Sequence, residues 1–290
     1  MRKLNHEKRT LIMRALIDGT GINATARICG VSKLTVLRLL ADVGTLCADY
    51  HDLTVCDLTT VRRLELDECW GFIGCKEKSK ARGKRGHGDV WIWVGICPVT
   101  KLVVAWRVGQ RDGKAAAEFL WDIADRVTGR IQITTDAHPA YPAAVKSAFS
   151  DEIDYAILQK IYGQAEEPEK RYSPSVCLGV KRETVCGCPD RDCVGTSIVE
   201  RSNLNLRLFN RRHTRLTLGF SKRYENHVHA IALHYFAHNF IRRNRTIGTT
   251  PAVKAGVADR EWTVEDLVRL LETEERTRAN SGRINRTDRP

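Results

Sequence analysis

Apolar residues recur at helical spacing through the first forty positions and at strand spacing through the middle of the chain. Over 7–19, Leu11, Ile12, Ala15 and Leu16 share one side, which predicts a helix. Gly19, Thr20 and Gly21 break it. Asn23 is placed to cap a short second helix that ends at Cys29, and Gly30 supplies a turn. Ser32 caps a third helix over 33–42, whose apolar positions are Leu34, Val36, Leu37 and Leu40. This succession is the helix-turn-helix arrangement, whose last helix enters a DNA major groove. Lys33, Thr35 and Arg38 are then its groove-facing candidates. Bare three-helix packing produces a similar pattern.

A connector over 46–60 leads to strands. The pattern predicts strands over 61–72, 90–97 and 102–108, with a Lys- and Gly-rich flap at 75–89. An amphipathic helix over 114–127, a strand over 130–135, a helix over 139–149 and a strand over 153–161 follow. An irregular insert is expected at 162–196, and a helix starts near Ser197. A long helix over 221–243, a segment containing Pro251, a short helix over 263–275 and a mobile charged tail complete the expectation. Three strands followed by alternating helices and strands is the ribonuclease-H-like order. The expected fold is therefore α/β: a mixed-sheet core behind an N-terminal all-α helix-turn-helix domain. The domains would be 1–58, 59–245 and 246–290.

The chain has 290 residues, a length suited to one or two domains, and 42% apolar residues, enough for a folded core. No apolar run reaches the roughly 18 residues of a membrane span, and the polar N-terminus lacks a signal-peptide core. A cytoplasmic, nucleoid-associated protein with reduced cysteines is expected. The net charge of +12 points to an anionic partner, nucleic acid first. That charge is concentrated. Residues 201–245 hold ten Lys/Arg against the single acid Glu225. A second basic cluster comprises Lys76, Lys78, Lys80, Arg82, Lys84 and Arg85. Solvated faces usually mix signs, so a ratio of ten to one is hard to read as one.

Three carboxylates carry the candidate chemistry. Asp67 lies in a strand, and alternation puts Glu65 and Asp67 on one face, with Leu64, Leu66 and Glu68 on the other. An acid in the middle of a central strand is costly unless something neutralises it, and a metal ion would. Asp136 follows an apolar strand directly, where open α/β sheets place ligands, although a helix cap would also explain it. Glu200 stands near a helix start, where an acid also suits the helix dipole. Hard divalent ions take carboxylate oxygens. Two such ions can activate a water or a 3′-hydroxyl and stabilise the leaving oxygen of a phosphodiester.

The segments ELDECWGFIG, TTDAHPAY, SIVERSNLNLRLFNRR and FSKRYENHVHAIALHYFAHNF resemble the DDE transposases of the bacterial insertion-sequence-one (InsB) type. The resemblance spans about 60–255. It implies that Asp67, Asp136 and Glu200 are the catalytic metal ligands, holding Mg²⁺ or Mn²⁺, two ions in all. It further implies cleavage at transposon ends, strand transfer by the freed 3′-hydroxyl, and a homo-oligomer assembled on terminal-repeat and target DNA. Arg201, Arg207, Arg211, Arg212, Arg215, Lys222 and Arg223 would hold phosphates. A DNA-binding regulator without activity, and a nuclease of the same fold, are the alternatives.

Other residues read more plainly. Cys177, Cys186, Cys188 and Cys193 lack the paired spacing usual in zinc sites and are expected as reduced thiols. His227, His234 and His238 share a helix face but lack a third hard ligand, so packing or phosphate contact is expected. Trp70, Trp91, Trp93, Trp106 and Trp121 are expected in the core, and Cys69 has no base partner that would make it a nucleophile.

Overall fold

The computed structural model of the chain describes residues 4–79, 86–163 and 177–287. Lys80, Arg82, Lys84 and Arg85 of the second basic cluster lie outside the described residues, as does part of the expected insert. The described chain forms a mixed α/β structure of two compact units. One comprises 1–55, 71–89 and 204–290, and the other 56–70 and 90–203. The N-terminal stretch of the first unit ends at 55, close to the boundary expected after 58, and segments 71–89 and 204–290 belong to the same unit.

In the first unit the chain opens with α1 (His6–Ile17), α2 (Ile22–Cys29) and α3 (Lys33–Thr54). Side-chain caps start two of them: Asn5 accepts the Lys8 N–H at 3.0 Å and Ser32 accepts that of Thr35 at 3.1 Å. Gly30 ends α2 at φ +62°, a left-handed conformation that glycine adopts freely. The third helix runs twelve residues beyond its expected end, taking up much of the expected connector. Gly44 lies within that extension, where it works as a contact point. A Cβ there would come within 2.4 Å of His229 on α7 (Tyr224–Phe236), so only glycine lets the two helices approach this closely. Tyr50 packs its ring against Phe236, Phe240 and Trp262, with centroids 5.0 to 5.6 Å apart.

The expected long helix is shorter at both ends. It begins at Tyr224, and Ala237–Ile241 forms a π-type turn. After α8 (Pro251–Lys254), α9 runs from Val264 to Thr287, so the tail expected to be mobile is helical to Thr287. Thr263 and Asp266 cap its start reciprocally, Thr263 Oγ1 accepting the Asp266 N–H at 3.2 Å and Asp266 Oδ2 that of Thr263 at 2.8 Å. Ion pairs fasten α9 to α1: Arg9 with Glu275 at 3.0 Å, and Arg14 with Glu265. Val264, Leu267, Val268 and Leu271 recur at helical spacing and are buried, so an apolar face anchors the first half of α9 and the ion pairs reinforce it.

The second unit is built on the sheet. Its strands are β1 (Arg63–Ile73), β2 (Gly88–Ile96), β3 (Val103–Gly109), β4 (Gln132–Thr135), β5 (Asp154–Tyr162) and β6 (Cys177–Cys186). The spatial order is β3-β2-β1-β4-β5-β6. β4 pairs parallel with β1 and β5, whereas β2 with β3 and β5 with β6 are antiparallel. The sixth strand corrects the expectation of an irregular insert. Helices α4 (Gly113–Arg126) and α5 (Tyr141–Phe149) pack on one another, and α6 (Ser197–Phe209) begins beside β1. Leu66, Ile92, Val94, Phe119 and Ile123 are fully buried in the core. Of the five tryptophans expected there, Trp93 is fully buried but Trp121 is half exposed.

Candidate active site

Parallel pairing brings the two central acids together. Glu65 of β1 stands opposite Thr134 of β4, and Asp67 and Asp136 each lie two residues further along. Past Thr135 the chain turns, with Asp136 Oδ1 accepting the His138 N–H at 2.9 Å. Carboxylate oxygens of Asp67, Glu68 and Asp136 all lie within 4.8 Å of one another, the one such trio of potential metal ligands among the described residues. Strand alternation assigns Glu68 to the opposite face, so its place in this site is a correction. Its adjacency to Asp67 in LDECW is the only sequence signal that points to it.

Each acid carries a distinct environment. Asp67 Oδ1 accepts the Glu68 N–H, and Oδ2 accepts from Asn203 Nδ2 of α6, both at 2.8 Å. Burial, then the charge of Asp136, push its carboxyl up to about 6. Glu68 is the more buried, and burial with the Asp136 charge pushes it up to about 7. Arg111 Nη2 reaches Glu68 Oε2 at 3.3 Å and only partly offsets this. Glu68 Oε1 is buried and no donor meets it at full hydrogen-bond geometry, although the Tyr141 hydroxyl lies close enough to favour the ionised carboxylate. His138 Nδ1 is 4.0 Å away but accepts the Ala140 N–H, and burial holds that imidazole below its ordinary value, so it offers no proton there. Three carboxylates within 4.8 Å of one another, two of them raised by burial and by mutual charge, form a place that a hard cation would neutralise. The residues present therefore fit a divalent ion.

Glu200 lines the same cavity, of about 450 Å³, together with Asp67, Asp136, Arg111 and Lys160. Its carboxylate is not one of the trio. Lys160 of β5 holds it, with Nζ 2.5 Å from Oε2, and Thr196 Oγ1 donates to Oε1 at 2.8 Å. The start of α6 is fixed from the sheet: Glu65 Oε2 accepts the Ile198 and Val199 N–H at 2.7 and 2.9 Å. Arg111 and Lys160 are neighbours that no sequence pattern marks, because they are remote in the chain and follow no motif, whereas Asn203 lies within the quoted segment SIVERSNLNLRLFNRR without being singled out as an acid's partner.

No protein-family model matches the chain, and no curated protein matches it. Among solved structures it aligns with a piggyBac transposase synaptic complex with hairpin DNA, at 13% identity and a TM-score of 0.39. That alignment covers 96% of this chain and 73% of the other. It also aligns with a Mos1 transposase paired-end complex with left transposon end, at 13% identity and a TM-score of 0.23, covering 53% and 60%. A Mos1 strand transfer complex gives 14% identity and a TM-score of 0.22, covering 53% and 59%. Scores this low do not establish a shared fold, and the functional reading rests on the residues.

The remaining candidates are spread over several elements. Lys33 and Arg38 are exposed on α3, and Thr35 is half-buried against its cap. Arg201 is exposed and Arg207 half-buried on α6. Arg211, Arg215, Lys222 and Arg223 are exposed in the segment leading to α7, whereas Arg212 is half-buried. Cys177 and Cys188 are exposed, Cys186 and Cys193 are half-buried, and all four are free thiols. His227, His234 and His238 are buried. Among the described residues no helix is long and apolar enough to cross a membrane.

Proposed function

We propose that the chain is a DNA transposase of the DDE class, insertion-sequence-one type, that cleaves at the ends of its element and joins them to target DNA. The observation that carries the reading is the convergence of Asp67, Glu68 and Asp136 within 4.8 Å, with Glu200 on the same cavity. The strand order β3-β2-β1-β4-β5 supports a ribonuclease-H-like core, since it sets acids from two central strands beside a late helix. The three helices α1 to α3 support a helix-turn-helix module, with Lys33, Thr35 and Arg38 on its last helix.

Asp67, Glu68 and Asp136 would hold Mg²⁺ or Mn²⁺, and Glu200 would complete the set for two ions after exchanging its ion pair with Lys160. The ions supply activation of the attacking oxygen and stabilisation of the leaving one. The chain's own groups do the rest. Asn203 fixes the Asp67 carboxylate, and Glu65 fixes the helix start that carries Glu200. Arg111 and Lys160 line the cavity as cations and face an incoming phosphate. In hydrolysis a water oxygen bonds to phosphorus and the 3′-oxygen leaves. In transfer that 3′-hydroxyl attacks a target phosphodiester, whose own 3′-oxygen departs. The partners are terminal-repeat and target DNA, with a homo-oligomer bringing two ends together.

The test uses the full chain, Mg²⁺ and DNA from either side of the gene. Nicked ends and joined products are expected, with both lost in Asp136→Asn and in Glu200→Gln. Wild-type activity in either variant overturns the assignment. Cleavage without joined products identifies a nuclease, and binding without cleavage identifies a regulator.

A further inference from the structure

The first unit contains a cleft of about 1070 Å³ remote in sequence from the carboxylates. One wall is formed by α2 and α3, which contribute Arg27, Lys33 and Arg38. The other is the segment between α6 and α7, which contributes Arg211, Arg212, Lys222 and Arg223. Among the described residues that line it there is no carboxylate.

Arg212 is the unusual member. Its Nη1 donates to Ser221 Oγ at 3.1 Å, but Nη2 is buried with no partner. Burial alone drags this guanidinium down to about 10, with no carboxylate nearby to hold it up. A buried cation lacking a counter-charge is costly, and an anion entering the cleft would relieve it.

The lining is not only cationic. Leu34 and Leu218 are 54% and 92% exposed, and Leu37 and Phe220 also face the cleft. Cations suit phosphates, and exposed apolar faces suit unpaired bases, a combination that single-strand sites use. A duplex hides its base faces.

We propose that this cleft binds a short single-stranded stretch of DNA, with its phosphates on Arg211, Arg212 and Arg223 and its bases against Leu34, Leu218 and Phe220. The inference rests on the proposed action on DNA only for the choice of DNA over RNA. It is tested in EDTA, where the carboxylate site holds no ion, so a failure of metal-dependent cleavage leaves the test standing.

The probe is a fluorescein-labelled, mixed-sequence single strand of about eight nucleotides, read by anisotropy against the same sequence as duplex. The single strand is expected to bind at least tenfold more tightly. Arg211→Ala should weaken it at least fivefold and lower the slope of log K against log salt by about 0.7. Leu218→Ser should weaken it at least threefold without changing that slope. Lys254→Ala, which removes an exposed charge elsewhere in the unit, should stay within twofold of wild type. Circular dichroism melting confirms that each variant is folded. Absence of single-strand binding overturns the proposal. So does equal binding of duplex, or a loss in Lys254→Ala matching that in Arg211→Ala.

Discussion

Glu65 accepts the backbone N–H of Ile198 at 2.7 Å across 133 residues, so a carboxylate on the central strand caps the helix that carries Glu200. The first turn of a helix has N–H groups without partners inside the helix, and this contact satisfies two of them, at Ile198 and Val199. Glu65→Ala should orphan both donors and cost about 1–3 kcal/mol in urea unfolding. Hydrogen exchange at Ile198 and Val199 should speed up, and cleavage should fall with it. Unchanged protection at those two amides would show that the helix start is held by something else.

Alternation along β1 correctly sets Glu65 and Asp67 on one face, because both meet α6. The same rule sets Glu68 aside. It assumes that the two faces of a strand stay separate, but the chain leaving β4 turns beside β1 and brings Asp136 near both acids. The strand β6 is hidden for another reason. Its residues are mostly exposed, so no buried face imprints a hydrophobic period on CLGVKRETVC. Gly44 looks in sequence like an ordinary interruption of α3, whereas its role depends on His229, nearly two hundred positions away. Lys160 and Arg111 become visible only when the sheet assembles around the acids, and so does the pairing of Asn203 with Asp67.

The pairing of Lys160 with Glu200 occupies the carboxylate that a second ion would need. Lys160→Met removes that competitor and should raise Mn²⁺ affinity several-fold in isothermal titration. The same variant should cleave DNA less well, because a cation facing the phosphate is gone. Weaker Mn²⁺ binding in Lys160→Met would mean that the ammonium supports the site instead of competing for it.

Divalent ions should stabilise the fold through Asp67, Glu68 and Asp136. An ion at a hundred times its dissociation constant adds about 2.7 kcal/mol to unfolding free energy, visible as a rise in melting temperature with Mg²⁺ or Mn²⁺. Asp136→Asn should abolish most of that rise while leaving the ion-free melting temperature equal or higher. A full Mg²⁺ response in Asp136→Asn would place the ion elsewhere.

Glu68 gives the trio a pH signature. Its folded value is raised to about 7, against an ordinary 4.5. The folded state therefore binds more protons than the unfolded state between those values. Its contribution to stability is present below about 4.5 and is lost as pH rises through 7. Glu68→Gln cannot titrate. In EDTA, its stability relative to wild type should improve by about 2 kcal/mol between pH 5 and pH 8, since a tenfold change in a protonation equilibrium is worth about 1.4 kcal/mol. Adding Mg²⁺ at pH 8 should narrow the gap by stabilising the wild type alone. A difference independent of pH would show that Glu68 titrates normally.

His227 should act with the opposite sign in the first unit. It is buried, its Nδ1 lies 2.7 Å from Ser221 Oγ, and its ring lies 4.9 Å from that of His213. Burial, then the Arg212 charge, lower it to about 3 from an ordinary 6.5. Between those values the unfolded chain binds the extra proton, so stability is full above 6.5 and falls as pH drops toward 3. From pH 7.5 to pH 5 this one group should remove about 2 kcal/mol of urea-unfolding free energy. His227→Gln keeps a polar group beside Ser221 but cannot charge, so it should show a correspondingly shallower loss. His213 is lowered for the same reason, and the His227 variant should therefore flatten the acid limb without abolishing it. Parallel acid limbs in the wild type and His227→Gln would mean that water reaches this imidazole and lets it protonate in the folded state.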